Sequence, residues 1–249
     1  MIILKNMFSR RWILATLFVL VGSAVCVRLG IWQLDRLSQR LAFNEQYLLA
    51  SNTTPLMLNS APMDDLTTME YRIITVTGTY DPLNQVVLRN QFHDNQPGYF
   101  LLTPLILSDG VRILIERGWI PAAGNSTPTD WHQYDLPDQV TISGIIRLGP
   151  SQPELGGVRD PELTAGQLRL DFWNNINLDR IGKQMPGRLL SVFVQPNPEP
   201  IPTEPPYPYQ PTIEISEGPH FGYAMQWFSF ALLLFFGYPF FLRQQMKNT

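Results

Sequence analysis

WILATLFVLVGSAVCVRLGIWQLDRLSQR, residues 12–40, decides how this chain is built. From Trp12 to Val27 it carries no charge and only two hydroxyls, Thr16 and Ser23. At about 1.5 Å per helical residue that run covers about 24 Å, short of a ~30 Å hydrocarbon core. Continuing the helix through Leu29, Ile31 and Trp32 supplies the missing length, with Arg28 snorkelling to the headgroups. The stretch reads as a transmembrane helix over residues 12–33 that does not stop at the membrane surface.

A cleaved signal peptide is the rival reading, because Lys5, Arg10 and Arg11 would also serve as its basic leader. Cys26 raises a lipoprotein alternative, yet Val25 stands before it where a small residue is normally required. An uncleaved anchor is expected because the helical pattern runs on. Over residues 34–50, Leu34, Leu37, Leu41 and Leu48 recur near helical spacing until SNTTP (51–55) breaks it.

At the other end FGYAMQWFSFALLLFFGYPFFL (221–242) has no charged residue and is long enough to cross a bilayer, giving a second span over 220–242. Basic residues flank both sides of the first span, where Arg28, Arg36 and Arg40 follow it. The second is clearer: no Lys or Arg lies between Arg188 and Arg243, whereas Arg243 and Lys247 follow the span. Both termini (1–11 and 243–249) are expected in the cytoplasm and the middle of the chain outside. The first span begins near residue 12, which leaves no room for a mitochondrial transit peptide. A multi-pass protein of a bacterial plasma membrane is expected.

A formal net charge of −3 gives no basic excess, so no nucleic-acid partner is expected; membrane lipid is. Cys26 is the only cysteine and lies within a span. The external part therefore has no disulfide and no thiol pair to carry copper or exchange electrons.

Strand signals fill the external part after the helix. YRIITVTGTY (71–80) is rich in β-branched and aromatic residues and stops at Asp81-Pro82; NQVVLRNQF follows. GYFLLTPLIL and VRILIERGWI flank Ser108-Asp109-Gly110, a hairpin signal. Further strands are expected at 140–148, 168–176, 188–195 and 211–215. QPNPEPIPTEPPYPYQP holds eight prolines between Pro196 and Pro211 and reads as a stiff, extended return to the membrane, with a docking surface as the alternative. The expected fold is membrane α+β: two transmembrane helices bracketing an external, mostly antiparallel β-sheet or barrel-like domain (51–195). A helix follows the first span, and a Pro-rich segment (196–219) leads into the second.

Catalytic signatures are missing. There is no Gly-rich phosphate loop, GxSxG elbow or HExxH pair. His93, His132 and His220 have no second histidine at metal-ligand spacing. Asp64-Asp65 reads as a solvated turn. An enzyme is not expected.

The distinctive polar residues gather at the outer membrane boundary. Arg28, Trp32 and Arg36 are four apart and share one helix face, with Gln33 beside them. His220, Tyr223 and Trp227 share a face of the second span. Ala15 and Gly22 in the first span, with Ala224 and Ala231 in the second, would let the two helices approach closely. Arginines and aromatics also populate ordinary interfacial belts, but Trp227 lies about 10 Å beyond His220, deeper than such a belt. An imidazole beside aromatics and arginines also suits a flat, anionic, iron-bearing ligand.

In order along the chain, GIWQLDR (30–36), YRIITVTGTY (71–80), PGYFLLTPL (97–105), ERGWIP (116–121) and HFGYAMQWFSFAL (220–232) are five blocks between and within two spans. Together they resemble the Surfeit locus protein 1 family of cytochrome c oxidase assembly factors. The chain departs from that pattern at Glu116, where relatives often carry Asn, and at Glu217-Gly218-Pro219, where they often carry Asn before the histidine.

The resemblance implies a non-enzymatic assembly factor that handles haem a for subunit I of cytochrome c oxidase, with haem a synthase as a further partner. It implies His220 as axial ligand to the haem iron, Trp32, Tyr223 and Trp227 against the macrocycle, and Arg28 or Arg36 on propionates. The alternatives are a haem-free scaffold that stabilises a subunit I intermediate, and an external sensory or solute-binding module.

Overall fold

The structure is a computed structural model that describes residues 7–60, 65–136, 138–153, 156–164, 166–198, 200 and 202–247. Lys5 of the expected basic flank and Asp64 of the acidic pair lie outside the described residues. In chain order the elements are α1 (Ile13–Asn52), β1 (Leu56–Met57), β2 (Ile73–Tyr80), β3 (Val86–His93), β4 (Gln96–Ile106), β5 (Arg112–Pro121), β6 (Gln139–Arg147), β7 (Phe172–Trp173), α2 (Leu178–Lys183), β8 (Leu189–Pro196) and α3 (His220–Lys247). They form two compact units: Met1–Gln46 with Ile213–Thr249, and Tyr47–Thr212.

The first unit is an antiparallel hairpin of α1 and α3. α1 is one helix of 40 residues, so the chain passes from the apolar run into the amphipathic segment without a break, as expected. Both helices are long and apolar enough to cross a membrane. Their outer faces agree: Leu14 is 78% exposed, Phe18 76% and Phe240 70%. Side chains of that kind ringing a helix pair are suited to lipid and poorly suited to water.

The seam between the helices differs by one residue from the expected stripe. Ala224 and Ala231 are buried in α3, but on α1 the buried positions are Thr16, Ser23 and Gly30 rather than Ala15 and Gly22. Seven-residue spacing is kept, and the register follows where contacts can be made. The Thr16 hydroxyl hydrogen-bonds the Tyr238 hydroxyl at 2.7 Å, and Trp12 meets Phe241 edge-on. Gly30 leaves the space taken by the Phe228 ring, whose Cε1 would lie 2.6 Å from any Cβ there.

The second unit is a β-barrel. β2–β6–β8–β5–β4 hydrogen-bond in that order, and β4 pairs back onto β2 through Thr79–Ile106 and Tyr80–Leu105, closing the ring. β3 and β7 extend the sheet beyond β4. Pairings are mostly antiparallel, as expected; β5–β8, β1–β2 and β3–β7 are parallel. Strand alternation explains the layering. Ile113 and Ile115 of β5 join Ile74, Val76, Val192 and Val194 in one cluster, while Leu114 and Phe193 point the other way into a second, with Trp173 of β7 and Ile181 of α2. β5 is covered on both faces and buried from Ile113 to Ile120, which is why Ile113, Leu114 and Ile115 run as consecutive apolar residues without alternation. Gly110 turns the β4–β5 hairpin at φ +82°, as the Ser108-Asp109-Gly110 signal predicts.

Two expected strands are corrected. Of residues 168–176 only Phe172–Trp173 are strand, because side chains take the neighbouring backbone donors: Gln184 Oε1 accepts from Leu170 N and Asp160 Oδ1 from Asn174 N. Residues 211–215 form no strand. The Glu214 and Ser216 carbonyls instead accept from Arg40, and Ser216 also from Asn44.

The Pro-rich return is docked rather than free. Trp119 and Tyr207 exchange backbone hydrogen bonds at 2.8 and 2.9 Å, and their rings stack. His93 stacks on Tyr207 in turn, and Phe100 on Tyr209.

Candidate functional site

The site is built where the middle of α1 meets the start of α3. Because α1 continues helically past residue 27, Gly30 and Gln33 fall about one turn apart and face the same way. α3 starts at His220, with Tyr223 N closing its first turn on Pro219 O. Gly218, at φ +66°, makes the turn into it. A Cβ at 218 would sit 3.3 Å from His220 Cδ2 and 3.6 Å from Nε2. Within the Glu217-Gly218-Pro219 departure, Gly218 thus puts no side chain against the Nε2 side of the ring.

His220 Nδ1 lies 2.9 Å from Gln33 Oε1, a contact spanning 187 positions of sequence. It joins the GIWQLDR block to the HFGYAMQWFSFAL block. Trp32, the residue before Gln33, is exposed, and the Arg36 guanidinium lies over its ring at 5.6 Å while donating to Gln39 Oε1. Tyr223 is exposed on α3; Trp227 is half-buried and meets Phe230 edge-on. Arg28 is exposed. Lying two residues either side of Gly30, Arg28 and Trp32 are turned from the seam. The hydrogen bond to His220 therefore comes from Gln33, not from the Arg28, Trp32 and Arg36 face. The signal for Gln33 was present in its spacing of three from Gly30, the small residue where the helices touch.

The donor set suits haem as a cargo. It offers one imidazole with Nδ1 engaged and Nε2 beside a glycine, exposed aromatic faces, and arginines. Among the described residues no group of three His, Cys, Asp or Glu gathers to hold a bare metal ion. The β-unit has open hollows of ≈510 and ≈500 Å³, the first lined by Arg89, Tyr99 and Phe172, the second by Trp173, Arg180 and Lys183. None of the six residues expected at the site lines either.

The ERGWIP block is structural chemistry. Glu116 is buried and accepts from Gln195 Nε2 at 3.1 Å. Burial pushes its carboxyl up to about 7, against the pull of that hydrogen bond and of Arg147. Arg117 is buried over the Tyr80 ring and donates to the Tyr134 carbonyl. Burial lowers its affinity for the proton, with Tyr80 and Asp135 opposing. Gly118 holds φ +130°, and a Cβ there would strike the Tyr207 carbonyl. The block thus clamps the barrel and its Pro-rich return.

Residues 20–232 match the sequence model of the SURF1 family. An uncharacterized SURF1-like protein of Mycobacterium tuberculosis is 26% identical over 95% of this chain and 85% of its own length. The cytochrome oxidase assembly protein SHY1 of Saccharomyces cerevisiae is 30% identical over 59% of this chain and 38% of its own length. Surfeit locus protein 1 of Mus musculus is 26% identical over 58% and 52%.

Proposed function

Because this chain belongs to the SURF1 family, we propose that it is a membrane-bound, non-enzymatic factor in the assembly of cytochrome oxidase, the role named for its yeast relative. In this reading it receives haem a, holds it at the outer end of the helix hairpin, and presents it to subunit I, with haem a synthase as a further partner. His220 is the axial ligand. Trp32, Tyr223 and Trp227 contact the macrocycle. Arg36, three residues after Gln33, is the first candidate for a propionate, and Arg28 the second. The membrane is a bacterial plasma membrane, with both termini cytoplasmic and the β-barrel outside.

The observation that supports the reading is the contact of His220 with Gln33. Two sequence blocks that share no local reason to coexist converge on one imidazole. The test is purification of the full chain from cells that make haem a, with spectroscopy and subunit identification on the same sample. A haem a spectrum that His220→Ala alters, with subunit I present, is expected. A spectrum unchanged in His220→Ala removes His220 from the ligand role.

A haem-free scaffold for subunit I is the second reading, supported by the apolar outer faces of both helices, which suit other transmembrane helices as well as lipid. Co-purification of subunit I without pigment under haem a overproduction would favour it.

A further inference from the structure

His220 has two ring nitrogens, and the hairpin engages one of them. Nδ1 faces Gln33 Oε1 at 2.9 Å. With the carboxamide oxygen turned to the ring, the contact favours the tautomer protonated on Nδ1, which in the neutral ring leaves the lone pair on Nε2. That is the arrangement of a metal-binding histidine whose other nitrogen is anchored to a carbonyl. The helix that carries Gln33 is itself held in place. One turn before Gln33, Gly30 accepts the Phe228 ring against the α1 backbone. Beyond Gln33, Arg40 and Asn44 grip the Glu214 and Ser216 carbonyls just ahead of α3. Gln33 therefore approaches His220 from a helix fixed on both sides of it. On the Nε2 side, where a Cβ at 218 would lie 3.6 Å from the nitrogen, Gly218 contributes no side chain.

We propose that Gln33 is a positioning residue for the haem site: it holds His220 as the Nδ1–H tautomer and so presents Nε2 as the iron ligand. The proposal rests on the haem-binding reading above and adds to it the residue that makes His220 ready to ligate before haem arrives.

The experiment uses the full chain in detergent micelles, labelled with ¹⁵N-histidine and free of haem, at a pH where imidazole is neutral. The His220 signals are identified by their loss in His220→Ala. Wild type is expected to show Nδ1 protonated and Nε2 bare; Gln33→Leu should lose that preference and Gln33→Glu, which keeps an acceptor, should retain it. The same proteins are then titrated with ferric protoporphyrin IX. Gln33→Leu is expected to weaken axial coordination by about 10–100-fold, the usual effect of removing an outer-shell partner, and Gln33→Glu to preserve it.

A wild-type ring protonated on Nε2, or a Gln33→Leu variant with unchanged tautomer and unchanged affinity, overturns the proposal. Wild-type coordination in His220→Ala overturns the haem reading itself and with it the ligand role. The tautomer is read without haem, so the two failures are distinguishable.

Discussion

Trp119 and Tyr207 hydrogen-bond to each other in both directions, stitching a Pro-rich strand to the edge of a barrel strand across 88 positions of sequence. The approach is so close that Gly118 must be glycine twice over. Its φ of +130° is unfavourable for any other residue, and a Cβ would meet the Tyr207 carbonyl. Gly118→Ala is therefore expected to destabilise the β-unit by about 2 kcal/mol or more. Denaturant unfolding of the full chain, followed by tryptophan fluorescence, measures it; a midpoint equal to wild type would show that the return segment is not clamped.

Glu116 makes the stability depend on pH. Its carboxyl holds a proton up to about pH 7 when folded, against 4.5 as its ordinary value. The folded state thus binds the proton more tightly than the unfolded one. The stability tied to this residue is complete below pH 4.5, declines as pH rises toward about 7, and stays low above it. The loss is on the order of 3 kcal/mol. Glu116→Gln should remove the decline and be more stable than wild type in alkaline buffer. Unfolding midpoints of both proteins across that window decide the matter, and parallel curves would count against it.

Thr16 and Tyr238 supply a polar link within the helix seam, at 2.7 Å. Tyr238→Phe removes it and is expected to cost the hairpin about 0.6–1.7 kcal/mol, the range found for hydrogen bonds between membrane helices. Reversible unfolding in mixed micelles reads the change. A value indistinguishable from zero would mean that packing alone holds this level of the seam.

Gly30 and Phe228 should behave as a lock and its key. Gly30→Leu forces the helices apart at the level of Phe228 and is expected to lose the His220–Gln33 hydrogen bond; Phe228→Ala in the same chain empties the space and should restore much of it. The His220 ring-nitrogen signals report the bond in each variant. Equal signals in wild type and Gly30→Leu would separate the hydrogen bond from the packing beneath it.

Much of the fold was legible because its signals are local. Apolar length marked both helices, and the helical spacing of Leu34, Leu37 and Leu41 carried α1 through the expected boundary. β-Branched and aromatic composition bounded by turn residues marked β2 to β6 and β8 within a few residues. The signal misled at 168–176 and 211–215, where apolar and β-branched composition suggested strands but side chains of Gln184, Asp160, Arg40 and Asn44 satisfied the backbone instead.

The sequence by itself determined the two long helices, most of the extended segments, and that His220 opens the second apolar helix beside aromatic residues. Only the tertiary structure decided that β4 closes onto β2, that β8 runs parallel to β5, that Gly118 faces Tyr207, and that Gln33 meets His220. The physical reason is the range of the forces involved. Periodicity records which face of an element is buried, and one segment is enough to read it. A partner's identity depends on which distant surfaces fit at van der Waals distance, and that is settled when Gly30 lets two helices touch and Gln33 comes within hydrogen-bond reach of the imidazole.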